Sequence, residues 1–226
     1  MCERLKKEKM IRLFCLFILL NTALFAQDAS PWTIGVLGGS GATYRFTNSD
    51  ASMRWLKDEL DSTESWTNGY SYGVSADYGF SEKLSLRSGF VFTQSGHALK
   101  NLEGYQSFKI NYQFIDLPLT MRYAVPTENA NVVFGAGPQL SYMLRSRALY
   151  QGIDDIALNK TTINDASLRK LGLAFGAHVS YDRYLGNNYS LELGLNYRQQ
   201  VFSIAQGTVN RLPFSLGLFL GFRKAL

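Results

Sequence analysis

Cysteine is almost absent: Cys2 and Cys15 are the only two in 226 residues, and both fall in the first fifteen. A chain without cysteine beyond that point has no disulfide framework and no thiolate–metal chemistry. Histidine is equally scarce, with His97 and His178 far apart and at no metal-ligand spacing. No glycine-rich phosphate loop, Walker pattern or EF-hand loop is present, so no cofactor and no metal are expected. Long apolar runs are missing too. The single strong one, Leu13 to Phe25, is broken by Asn21 and Thr22. It is shorter than the roughly 20 residues a bilayer-spanning helix needs.

That run has a specific setting. Arg4, Lys6, Lys7, Lys9 and Arg12 precede it, and Ala26-Gln27-Asp28 follows. A basic segment, a short apolar stretch and a small residue before the cut make a secretory signal peptide over residues 1–26. An N-terminal membrane anchor is the competing reading. Cleavage removes both cysteines, five basic residues and two acidic ones (Glu3 and Glu8), lowering the formal charge from +5 to +2. The basic balance therefore belongs to the leader, and nucleic acid is not an expected partner.

What the chain has instead is glycine (20), tyrosine (13) and phenylalanine (15), arranged with period two. In residues 211–223 the large apolar Leu212, Phe214, Leu216, Leu218, Leu220 and Phe222 alternate with Pro213, Ser215, Gly217 and Gly221. Successive strand side chains point to opposite faces, so one face is oily and the other thin. Seven earlier segments, near 32–46, 70–80, 84–93, 115–125, 132–145, 171–182 and 191–198, repeat the pattern. With the residues that flank it, each reaches the about 9–11 residues of a tilted transmembrane strand. Long connections alternate with short turns such as Ser81-Glu82-Lys83 and Gly186-Asn187-Asn188. The reading is all-β: an eight-stranded antiparallel up-and-down transmembrane barrel over residues 27–226, in the outer membrane, with both termini periplasmic. Met53, Leu56 and Leu60, with Asp50 placed to cap, suggest a short amphipathic helix in the first long loop.

The thin face carries charge of both signs. An eight-stranded barrel is wide enough only for its own side chains, and buried charges must pair. Asp77, Arg87, Asp116, Arg122, Arg145, Asp182, Glu192 and Arg198 are therefore expected to form a structural ion network in the lumen, joined by Arg45 and Arg223. Arginine suits this role because its planar fork matches a carboxylate. His97 is expected on a surface loop, and His178 in the lumen beside Ser180 and Asp182.

Asn111-Tyr-Gln-Phe-Ile-Asp-Leu-Pro-Leu-Thr-Met-Arg-Tyr123 resembles a strand of the PorT-like outer-membrane β-barrel family of Bacteroidetes. Phe134–Tyr142, Leu171–Val179 and Gly217–Phe222 look like its following strands. The resemblance implies an outer-membrane location, lipid as the surrounding partner, and other envelope or type IX secretion proteins as further partners. Two other readings remain beside this non-enzymatic component. One is a lipid-modifying hydrolase, which needs a histidine–serine pair at a lipid-facing rim. The other is a soluble ligand-binding barrel, in which the apolar rows would point inward. Protein recovered from membranes is expected to begin at Gln27; N-terminal sequencing that finds Met1 would restore the anchor reading.

Overall fold

The computed structural model describes residues 31–49, 63–100, 105–152, 159–163, 168–204 and 209–226. The leader (1–26) and the helix read over 51–60 lie outside these residues.

Ten strands follow in chain order: β1 (Trp32–Ser49), β2 (Glu64–Ser65), β3 (Thr67–Gly79), β4 (Leu84–Leu99), β5 (Tyr105–Pro126), β6 (Ala130–Gly152), β7 (Asn159–Ile163), β8 (Leu171–Gly186), β9 (Tyr189–Gln200) and β10 (Val209–Ala225). Eight of them, all but β2 and β7, pair antiparallel with their chain neighbours, and β1 pairs β10 to close the cylinder. The short β2 and β7 add to the edges of β4 and β6 beyond the barrel wall. Closure leaves the eight main strands no lipid-facing edge. Among the described residues no helix is long and apolar enough to cross a membrane.

Alternation sets which face each residue takes. Val36, Phe90, Leu193 and Leu218 lie on the outside, the last 59 % exposed, while Asp77, Asp116, Arg122 and Glu192 are buried within. A soluble barrel would have the reverse arrangement. Aromatic rings cluster toward both ends of the outer wall. Trp32, Tyr78 and Phe80 touch at the short-turn end, with Tyr189 stacked on Phe222. Toward the other end Tyr44, Phe46 and Trp66 surround Phe214, which they bury to 6 % exposure. Rings at both levels fit the two interfaces of a bilayer.

One end has tight turns. β8 and β9 are joined by Asn187 and Asn188, both at positive φ (50° and 66°), the two-residue turn that matches strand twist. β5 and β6 are joined through Thr127–Asn129, where Thr127 N donates to Ala130 O. The first and last strands meet there as well, Leu226 N donating to Trp32 O at 3.0 Å.

Two sequence expectations fail at the opposite end, where strands run further than the outer apolar rows suggest. β4 continues to Leu99, so His97 is a strand residue with no exposure at all, not a surface loop residue. In β6 the register with β5 slips between Gln113/Arg145 and Phe114/Met143, leaving Leu144 as an extra residue. Such a bulge inverts parity beyond it. Arg145 consequently faces outward and is exposed, while Ser146 and Ala148 turn inward.

Replacing Leu218 with arginine is expected to destabilise the folded barrel by about 2–4 kcal/mol, the cost of a cation near mid-membrane on the lipid face. A urea titration in lipid vesicles, read as loss of the compact unheated gel band, measures it; an unchanged midpoint would contradict the outward assignment.

Candidate functional site

The lumen is where charged side chains of both signs meet, and it is layered. Nearest the short turns, the β3–β4 register sets Asp77 directly across from Arg87. The Arg87 Nε donates to Asp77 Oδ1 at 2.7 Å and its Nη2 to Glu192 Oε2 at 2.7 Å. Arg122 spans the same two carboxylates, with Nη1 3.1 Å from Asp77 Oδ2 and Nη2 2.9 Å from Glu192 Oε1. Asp182 and Glu192 are direct register partners, and like charges so placed repel. Arg223 relieves this, its Nη1 lying 2.8 Å from Asp182 and 3.4 Å from Glu192, while Ser180 Oγ donates to Glu192 at 2.8 Å. Three arginines thus meet three carboxylates drawn from six strands.

One level further in, Arg198 grips Asp116 with both prongs of its fork, Nε and Nη2 each at 2.8 Å. The same Nη2 reaches Ser141 Oγ, and the guanidinium lies 4.7 Å over the Phe114 ring. Between the two ionic layers is a cavity of about 110 Å³, lined by Arg87, Thr93, Thr120, His178, Asn196 and Arg198. Its volume suits a few water molecules. Glycine opposite a large side chain closes the packing around it: a Cβ on Gly135 would sit 2.1 Å from the His178 ring, and one on Gly176 1.9 Å from Gln139 Nε2.

Above Phe114 the interior changes character. Phe114, Tyr112 and Met143 form an apolar plug with Ile204, which enters from the segment after β9, and Ile110 and Leu168 pack against it. Backbone hydrogen bonds from Ile204 N to Arg211 O and from Arg169 N to Ile204 O hold that segment in place. Beside the plug Arg45 pairs with Glu64 and donates to the Tyr112 hydroxyl at 3.3 Å. His97 stacks on Tyr112, with ring centroids 6.0 Å apart.

Of the eight residues expected in the lumen network, Asp77, Arg87, Arg122, Asp182 and Glu192 meet in one cluster. Asp116 and Arg198 form a second, and Arg145 lies outside the barrel. Glu64 and the apolar plug escaped the sequence reading. Glu64 stood in what read as a long loop; the plug left a trace in the doublets Phe114-Ile115 and Met143-Leu144, where both faces of a strand are apolar at once.

As for chemistry, His178 is packed edge-on against Phe219 inside the wall, and His97 and Ser95 are both fully buried. Neither histidine stands at a lipid-facing rim beside a serine.

The family model for an outer membrane protein beta-barrel domain matches residues 25–198. No curated protein matches. Among solved structures the chain is similar to Neisserial surface protein A, at 17% identity over 88% of this chain and 100% of that one, with a TM-score of 0.43. OprG of Pseudomonas aeruginosa is similar at 10% identity over 88% and 99%, TM-score 0.48. Ail of Yersinia pestis is similar at 12% identity over 85% and 98%, TM-score 0.40.

Removing one member of a buried pair strands the other. Asp116→Ala is expected to cost about 3–5 kcal/mol of stability. The Asp116→Leu/Arg198→Met double variant should recover most of that loss, as measured by urea titration of both. A single variant as stable as the wild type would deny the pair a structural role.

Proposed function

Because the chain belongs to the outer membrane protein beta-barrel domain family, we propose that it is a closed, non-enzymatic outer-membrane barrel acting through its two ends as an envelope or secretion-associated component. The observation that carries this reading is the filled lumen. Two ionic layers and an apolar plug occupy the axis in series. An interior so packed conducts nothing larger than water, which leaves the loops and turns as the surfaces that act. The burial of His97, and the packing of His178 against Gly135 inside the wall, supports the non-enzymatic assignment over a lipid hydrolase.

The short-turn end, carrying both termini, faces the periplasm in this reading, since an exported chain reaches the membrane from that side and its hairpins cross with tight turns behind them. The long-loop end then faces outward. Likeness to the PorT-like strands favours secretion or envelope proteins as the partner class.

Two measurements test the proposal. Mature protein in planar lipid bilayers is expected to give no unitary conductance steps; stable steps would refute the filled lumen. Extraction from native membranes in mild detergent, with mass spectrometry of what co-purifies, is expected to recover envelope proteins. Recovery of the chain alone would count against a component role.

A further inference from the structure

Arg145 stands on the lipid-facing wall because of the bulge at Leu144, and it is held there. Its Nε donates to Gln113 Oε1 at 2.5 Å. Gln113 Nε2 donates to Gln94 Oε1 at 3.0 Å, and Tyr70 Oη donates to the same oxygen at 3.1 Å. The four residues are successive register partners on β3, β4, β5 and β6, so the chain of hydrogen bonds runs across four strands on one face. It holds the guanidinium through Nε, and among the described residues neither Nη group, the fork that grips an oxyanion, makes a hydrogen bond.

The setting is graded. Toward the short turns the outward residues of β5 and β6 are Ile115, Leu117 and Leu119, and Leu140 and Tyr142, all exposed and apolar. Toward the long loops the same outward rows hold Asn111 and Lys109 on β5 and Arg147 on β6, and Asn111 is the register partner of Arg147. Among the described residues none of Lys109, Arg145 and Arg147 has a carboxylate at ion-pair distance. Three cations therefore begin where the oily band ends, the level at which lipid phosphates lie.

We propose that Arg145, steadied by Gln113 and flanked by Lys109 and Arg147, binds the phosphate of a lipid headgroup in the leaflet at the long-loop end. The outer leaflet is implied only through the orientation proposed above; the site itself needs no choice of side. The oily rows of β5 and β6 directly below would carry the acyl chains of the same molecule, which is why a lipid is favoured over free phosphate.

Mature barrel in detergent, mixed with dioleoyl phosphatidic acid or dioleoyl phosphatidylcholine, is examined by native mass spectrometry. Preferential retention of phosphatidic acid is expected. Arg145→Gln should weaken it about five-fold, the effect of one cation at an anionic surface, and Arg145→Lys should fall between. Lys83→Gln, in a turn at the other end, should change nothing. Equal retention of the two lipids, or Arg145→Gln matching the wild type, would overturn the proposal. Full displacement by inorganic phosphate would overturn the lipid assignment in favour of a free-anion site. Each variant is also run unheated and heated on a gel after insertion into dioleoyl phosphatidylcholine vesicles. Loss of the compact band in the wild type would refute the membrane reading instead, and a variant that loses it is replaced by Gln113→Leu, which should weaken retention by releasing the guanidinium.

Discussion

A carboxylate placed inside a narrow cylinder, with hydrocarbon around the wall and no channel along the axis, must find a cation within that cylinder. The interior meets this condition by strict matching. Arg87, Arg122 and Arg223 face Asp77, Asp182 and Glu192; Arg198 faces Asp116; Arg45 faces Glu64. Each of the two lower layers is neutral by itself. A charge deleted from one layer therefore cannot be made good from the next, and closed packing follows from the same requirement. Glycine on a neighbouring strand makes room for the larger inward side chains, as Gly135 on β6 does for His178 on β8 and Gly176 on β8 for Gln139 on β6.

The outer wall was legible in the sequence because only one property had to be read there. Large apolar residues keep one parity for ten residues or more, and hydrocarbon enforces this strand by strand. The candidate lumen residues were legible for the same reason, as the charges of opposite parity. Their partners were not. Which arginine meets which carboxylate depends on strand register and tilt, and Arg87 to Glu192 is a contact across 105 positions of chain. Parity counting also fails wherever the wall bulges. Arg145 follows Leu144 on the same face, and a reading that alternates without interruption puts it inside.

The long-loop end was the least legible part, since there the barrel wall no longer answers to lipid. β4, β5 and β6 extend past the oily band, and Tyr112 and Phe114 on β5 and Met143 on β6 make the interior apolar where Ile204 and Leu168 fold over the axis. The alternation signal vanishes because both faces may now be of either kind. His97 illustrates the loss: it follows Gln94-Ser95-Gly96, residues that resemble a turn, yet it is a fully buried strand residue stacked on Tyr112. The interior thus changes from ionic to apolar along the same strands, and the two chemistries meet at Phe114, whose ring lies under Arg198.

Why the lower lumen is ionic when an apolar filling would cost less desolvation is answered by the outer wall. A strand with oily residues on both faces could slip by one residue at little penalty, because period-two alternation is what specifies register. Charges on the inward parity remove that freedom. A one-residue slip of β4 against β3 would turn Arg87 out into hydrocarbon and leave Asp77 without its nearest partner. An arginine facing the mid-membrane costs about 2–4 kcal/mol by itself, and a stranded buried partner adds several more. Glycine and serine between the charges are too small to hold a strand by packing alone, so in β3, β4, β5 and β9 it is the ion pairs that tell one register from the next.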